Sequence, residues 1–323
     1  MWPLIKLIPT KTKVPFVSLS RLFATLSILA AIATIGGVFY PGLNLGIDFK
    51  GGTVVEFNTG AKPADLARVR DVVNGLNLGD VQVQRFGADN DAVVRFQTPK
   101  GADTSATAAS ATANRVKAAI TGALGQVTFS RTDVVGPEVS GELMQKGIVA
   151  LLTSIGLMLI YIWFRFELQF GLGAVVALFH DLTLSFGLIL LLRLEFSLNL
   201  IAALLTIIGY SMNDTVVVFD RLRENRRKYK RMPLRDLIDL SVNETLSRTV
   251  ITGLTALLAL SGLAIFGGES LRPLSIVLLF GIVIGTYSSI YVASPIVLLW
   301  GVRRDDEPAR PIGPQPANLV RRP

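Results

Sequence analysis

The 323-residue chain has no cysteine and a single histidine, His180. Disulfides, thiolate metal sites and cysteine nucleophiles are excluded by the first fact, and a histidine-rich zinc centre by the second. No metal or cofactor is implied. Charge is scarce as well: Asp, Glu, Lys and Arg make up 17% of residues, where a soluble domain carries about a quarter. What fills the space is hydrophobic, at 50% of residues, with a mean hydropathy of +0.51.

The apolar residues fall into six stretches: Leu22–Tyr40, Gly147–Phe164, Phe170–Leu192, Leu198–Phe219, Thr249–Phe266 and Leu274–Trp300. A bilayer span needs roughly 18 to 20 mostly apolar residues, so the pattern predicts six transmembrane helices. No small-residue cleavage site of the A-x-A kind closely follows the first, which reads as an uncleaved span. The net charge of +8 is concentrated at three places: Lys6, Lys11, Lys13 and Arg21 before the first span, eight Lys and Arg within Arg221–Arg235, and Arg303 and Arg304 after the last. With six spans all three lie on one side, and the positive-inside rule makes that side cytoplasmic. Both termini, residues 1–21 and 301–323, are then cytoplasmic, and the proline-containing tail is expected to be disordered. The basic run between the fourth and fifth spans sets topology and is not a nucleic-acid site.

Residues 41–143 break the lipid-like pattern. Their 10 Lys and Arg balance 11 Asp and Glu, and alternating apolar stretches at Gly52–Phe57, Val81–Phe86, Ala92–Gln97 and Val127–Val135 read as strands. Helical patterns follow Pro63 and occupy Asp103–Leu124. The predicted order, β-α-β-β-α-β, is that of a ferredoxin-like α+β unit, placed on the side opposite the cytoplasm, between the first and second spans. It contains no catalytic constellation, and the chain is expected not to be an enzyme. Between Asp220 and Arg248, the row Leu234, Ile238, Val242 and Leu246 predicts a cytoplasmic amphipathic helix lying on the membrane or against a partner.

Ionisable residues within the spans are costly unless they face a bundle interior or water. His180 and Asp181 sit midway along the third span, Asp214 lies in the fourth, and Arg248 opens the fifth. Small or hydroxylic residues share their faces: Ala174, Ala177 and Ser185 with Asp181; Tyr210 and Ser211 with Asp214; Thr252, Thr255, Ala259 and Gly262 with Arg248. Such faces allow close helix packing, so all three are expected to point inward. The residues alone leave two readings of Asp214 and Arg248 open: an ion pair that locks two helices, or a proton relay. His180 and Asp181 are equally open between packing contact and proton site. A paired-aspartate intramembrane protease is excluded, because neither of its motifs surrounds Asp181 or Asp214.

Four blocks carry a resemblance: LGIDFKGGT (Leu45–Thr53), VGPEVSGEL (Val135–Leu143), NDTVVVFDRLREN (Asn213–Asn225) and TLSRTVITGLTALLALSGLAIFGG (Thr245–Gly268). In this order around six spans the chain resembles the smaller subunit type of the SecD/SecF family, within the resistance-nodulation-division superfamily. The resemblance implies a heterodimer with SecD, work beside the SecY/SecE/SecG export channel, contact of the periplasmic domain with unfolded preprotein, and use of the proton motive force to drive late export. It places the family's membrane aspartate on Asp214 and the arginine of the LSRT block on Arg248. Asp181, His180, Asn213 and Tyr210 are further candidates for the proton path. A proton crossing the membrane field yields about 2.3 kcal/mol per 100 mV. Gly51, Gly52, Gly136 and Gly141 are the hinge candidates between domain and spans. The alternative function is a proton-coupled exporter of small molecules acting as a homo-oligomer.

Overall fold

The structure is a computed structural model describing residues 12–79, 81–85, 87–97, 106–268 and 270–300. The expected N-terminal segment therefore lies partly, and the expected disordered tail wholly, outside the described residues. In chain order the elements begin with α1 (Phe16–Phe39), β1 (Asn44–Leu45), α2 (Ile47–Lys50), β2 (Gly52–Asn58), α3 (Leu66–Asn74), β3 (Val81–Arg85) and β4 (Asp91–Phe96). They continue with α4 (Ala106–Leu124), β5 (Thr128–Val135), α5 (Pro137–Arg165), α6 (Leu168–Leu191), β6 (Glu195–Phe196), α7 (Leu198–Lys228) and α8 (Leu234–Phe266). The last span is α9 (Arg272–Ser288), a π-helical turn (Ser289–Ala293) and α10 (Ser294–Trp300).

Six helical segments are long and apolar enough to cross a membrane. Half or nearly half of the apolar window is buried in α6, α7 and the α9–α10 span (50%, 56% and 44%), against 11% in each of α1, α5 and α8. The first three are therefore the inner helices, and the others form an outer layer. Contact between α7 and α9 is close because Gly281 and Gly285 have no side chain: a Cβ at Gly285 would stand 2.9 Å from that of Ser211, and one at Gly281 would overlap Ile207. The Gly-xxx-Gly spacing thus marks a real helix contact.

Between α1 and α5, β2 to β5 form one antiparallel sheet in the order β3-β4-β2-β5. Helices α3 and α4 supply Val69, Val73, Val116 and Ile120 to a core shared with Val55, Phe57, Val83, Val94 and Phe96. Residues two apart share a sheet face, which places Val55 and Phe57 of β2 and Val94 and Phe96 of β4 together under these helices. Asp65 caps α3 by accepting from Arg68 N at 3.1 Å, which fixes where that helix starts.

Several boundaries differ from the sequence expectation. The basic loop shrinks to five residues, since α7 runs on to Lys228 and α8 begins at Leu234. No separate surface helix exists at 233–247; it is the first half of α8, continuous with the fifth span. Its apolar and polar row does not lie on lipid. Leu237, Ile238, Ser241, Val242 and Asn243 are buried, and they meet the chain itself. Asn243 accepts from Val14 N and donates to Val14 O, both at 2.9 Å, while Asp239 caps α1 by accepting from Val17 N at 2.8 Å. Asn225 donates to Ser241 Oγ at 3.0 Å. Helix periodicity identified a buried face but not what buries it.

Strands β1 and β6, too short for a sequence signal, pair in parallel and tie the segment after α1 to the α6–α7 connection. Phe49 of α2 packs against Phe196 with ring centroids 5.6 Å apart. The segment that precedes the hinge candidates Gly51 and Gly52 is therefore docked onto the bundle as far as Phe49. Gly51 and Gly52, both at positive φ (70° and 129°), are where the chain turns into the domain. Gly136 precedes α5 in extended backbone, whereas Gly141 lies inside α5 and not in a linker.

Candidate functional site: two buried carboxylates

Helix α7 takes part in two carboxylate sites: its Ser211 meets Asp181 of α6, and its own Asp214 meets Thr286 of α9. Asp181 of α6 is 1% exposed. Its Oδ2 accepts from Ser288 Oγ of α9 at 2.7 Å and from Ser211 Oγ of α7 through a short contact. Its Oδ1 stands 2.8 Å from His180 Nδ1. From His180 the chain of contacts continues: Nε2 to Ser27 Oγ at 2.9 Å, Ser27 Oγ to Tyr287 Oη at 2.7 Å, and Tyr287 Oη donating to Phe23 O at 2.8 Å.

Proton counting assigns this chain. Tyr287 spends its one hydrogen on Phe23 O, so Ser27 donates to Tyr287 and His180 Nε2–H must donate to Ser27. Nδ1 then either accepts from a protonated Asp181 or, in an imidazolium, donates to the Asp181 carboxylate. Both descriptions hold the same number of protons, and in both the pair is electrically neutral. A neutral pair with every oxygen partnered is what a buried site tolerates.

Asp214 of α7 is differently placed. It is 3% exposed, and Thr286 Oγ1 of α9 donates to its Oδ2 at 3.1 Å. Arg248 of α8, expected to pair with it, makes no ion pair with Asp214 among the described residues. Its side chain is exposed, as are Thr255 and Ala259 on the same face. That face, expected to point inward, is on the outside of this bundle because α8 is an outer helix. The buried face of α8 is the neighbouring one, with Thr249 and Gly253. At a rise of 1.5 Å per residue, Asp214 lies about 24 Å along α7 from Leu198, and Arg248 about 27 Å along α8 from Phe266. Both ends are on the domain side, so the two groups share a depth without touching. Tyr210, one turn from Asp214, turns its hydroxyl inward; Asn213 is exposed.

Sequence reasoning missed the hydroxyl partners Ser27, Thr286 and Ser288 and grouped Ser211 with Asp214, whereas it donates to Asp181; the polar run Thr286-Tyr287-Ser288-Ser289 in an otherwise apolar span was a usable signal. It also missed the joint between domain and bundle. Asp48 accepts from Leu198 N at 2.9 Å and so caps α7, the helix that carries Asp214. Arg95 of β4 pairs with Glu195, and Arg131 of β5 donates to Ser270 Oγ at 2.8 Å.

Glu56 of β2 lies close to this joint. Burial pushes its carboxyl above the ordinary carboxylate range, Arg131 opposes that, and Asp133 adds to it. The folded domain therefore binds this proton more tightly than the unfolded chain does. Glu56 should make folding more favourable as pH falls through its folded pKa towards the ordinary 4.5, and less favourable as pH rises. Unfolding of wild type and Glu56→Gln followed across pH 4 to 8 should show wild type losing ground to the variant with rising pH; parallel profiles would refute the assignment.

Six spanning helices, an extramembrane α/β domain between the first two, and carboxylates buried among the inner helices define a multi-pass membrane protein with ionisable groups in its bundle. The chain belongs to the SecD/SecF family: the profile of the protein export membrane protein SecD/SecF C-terminal region matches residues 115–303, and the SecD/SecF GG motif matches residues 41–60. It is 43% identical over 306 residues to the protein translocase subunit SecF of Cereibacter sphaeroides, covering 93% of each chain. To that of Rhodobacter capsulatus it is 44% identical over 316 residues, covering 95% of each. Among solved structures, SecDF of Thermus thermophilus, titled a translocon-associated membrane protein, matches with a TM-score of 0.79 and 33% identity. A SecDF structure titled a super-membrane-facing form matches at 0.65 with the same identity. In each case 93% of this chain is covered, and it spans 39% of the SecDF chain.

Proposed function

We propose that this chain serves the Sec protein translocase as an accessory subunit and that proton binding at Asp214 drives its part in preprotein export. The observation that carries the proton reading is the contrast between the two carboxylates. Asp181 is locked in a neutral pair with all its oxygens partnered, whereas Asp214 has one hydroxyl partner and an arginine at its own depth that it does not reach. A group that changes charge needs one environment favouring each form. Burial favours the neutral acid, and approach of Arg248 favours the carboxylate. Asp214 has the first, and a shift of α8 against α7 would give it the second.

Coupling to the domain runs through α7. Its first residue is capped by Asp48, in the segment that enters the domain, so a tilt or rotation of α7 is felt at Gly51 and Gly52. The domain is ferredoxin-like by its element and sheet order and lies in the periplasm of a bacterial inner membrane, with both termini cytoplasmic. The match to 39% of a SecDF chain supports a SecD-type partner half. The exposed Arg248 face, with Thr255 and Ala259, suits such a partner better than lipid. The SecY/SecE/SecG channel and the emerging preprotein are the other partners.

Export of a preprotein into inverted membrane vesicles tests the reading. Vesicles holding this chain and its partner half should export faster when energised, and an uncoupler should remove the difference. Equal rates with and without the proton motive force, or the same stimulation in vesicles lacking this chain, would refute it.

A further inference from the structure

At the end of the bundle away from the domain, three carboxylates are each committed to an arginine. Asp220 pairs with Arg165, Glu224 with Arg221, and Glu167 with Arg226. Arg223, Arg227 and Lys228 are left over. Among the described residues they form no ion pair, and Arg223 donates instead to Arg165 O at 3.4 Å. These three side chains, with Arg165, Asp220 and Glu224, line an open cleft of about 510 Å³ between the ends of α5 and α7. Four cations against two anions leave its lining at +2.

The cleft lies at the level of a lipid headgroup. The apolar run of α5, Gly147–Phe164, rises about 27 Å, close to the roughly 30 Å of a bilayer's hydrocarbon, and the next residue is Arg165. On α7 the apolar run ends at Phe219, and the next residue is Asp220, the partner of Arg165. The two helices thus leave the hydrocarbon together. Trp163 and Phe164, just before Arg165, are exposed, as aromatic side chains at a membrane interface are. Deeper in the membrane, a groove of about 1000 Å³ runs along α5, lined in part by Leu157, Met158 and Tyr161. Tyr161 and Met158 stand one and two turns from Arg165 on the same flank of the helix, so the groove leads towards the cleft.

We propose that this cleft binds the phosphodiester of an anionic phospholipid, with an acyl chain lying in the groove along α5. A phosphodiester accepts charge-assisted hydrogen bonds, and an arginine fork presents paired donors to it. Arg223 and Arg227 are the arginines that no carboxylate occupies. A free phosphate would meet the same cations, but the adjoining groove and the exposed Trp163 and Phe164 match a ligand with an apolar tail. The site requires only that the helices cross a bilayer and does not rest on the proton reading of Asp214.

Native mass spectrometry of the full chain in detergent, titrated with phosphatidylglycerol or with phosphatidylcholine of the same acyl chains, tests the site. Wild type should bind phosphatidylglycerol more tightly. A basic residue beside an anionic headgroup contributes about fivefold, so Arg223→Gln combined with Arg227→Gln should weaken phosphatidylglycerol binding roughly thirtyfold and leave phosphatidylcholine binding unchanged. Arg231→Gln combined with Arg235→Gln removes the same charge from the same end of the bundle, outside the cleft, and should bind as wild type does. Neither pair of substitutions removes an ion pair seen among the described residues, and unchanged phosphatidylcholine binding checks that the bundle is intact. Equal weakening in the two double variants would show diffuse attraction and overturn the site. So would a wild type that does not distinguish the two lipids, a result that needs no variant to fold. Glycerol 3-phosphate, which has the phosphate without the tails, should not displace phosphatidylglycerol at equal concentration; displacement would overturn the lipid assignment in favour of a free anion.

Discussion

Asp214→Asn is expected to abolish the proton-motive-force stimulation of export while the complex remains assembled. Asparagine keeps the shape of the side chain and an oxygen that can accept from Thr286, so the α7–α9 contact survives. What is lost is the ability to change charge. One proton moving through 100 mV supplies about 2.3 kcal/mol, enough to bias a two-state equilibrium roughly fiftyfold. Without a titrating group that bias has nothing to act on, and the energised rate should fall to the unenergised one. Abundance and association with the partner half would be followed in the same vesicles. Persistent stimulation would mean that Asp214 only fastens helices. Asp181→Asn is the instructive comparison: disturbing a fully partnered network should first lower abundance, whatever happens to stimulation.

Gly281→Val should be the most damaging single change to the bundle. Any side chain at Gly281 collides with Ile207, and both residues are buried at the contact between α7 and α9. Overpacking a core costs about 1–3 kcal/mol; here the strain falls on the helices that hold Asp214 and Thr286 together. The expected result is a sharply reduced yield of folded protein in detergent and a lower unfolding temperature. Ile207→Ala should restore much of the loss in the double variant, because it removes the colliding atoms. Damage that is additive in the double variant would show that the contact is not the cause.

How far these features could be read from the chain varied with their range. The six spans were legible because a continuous apolar run needs no partner to be recognised. The β-α-β-β-α-β order was legible because strand alternation and helix periodicity are local. Helix ends were less so. Lys228 and Leu234 extend α7 and α8 beyond the apolar runs, since charged residues at a membrane surface are compatible with helix. The hydroxyl network around Asp181 joins residues from Phe23 to Ser288, and nothing in the spacing of Ser27, Ser211 and Ser288 announces that they converge.

The sequence by itself determined that the chain is a membrane protein, that its domain lies between the first and second spans, and that Asp181, Asp214 and Arg248 are the costly charges among them. Hydropathy and charge are properties of each residue and add along the chain. Only the tertiary structure decided which hydroxyls each carboxylate meets. Helix rotation and neighbour identity determine whether a hydroxyl faces Asp181, Asp214 or its own backbone. The same packing put Asp48 on the end of α7 and turned Arg248 outward.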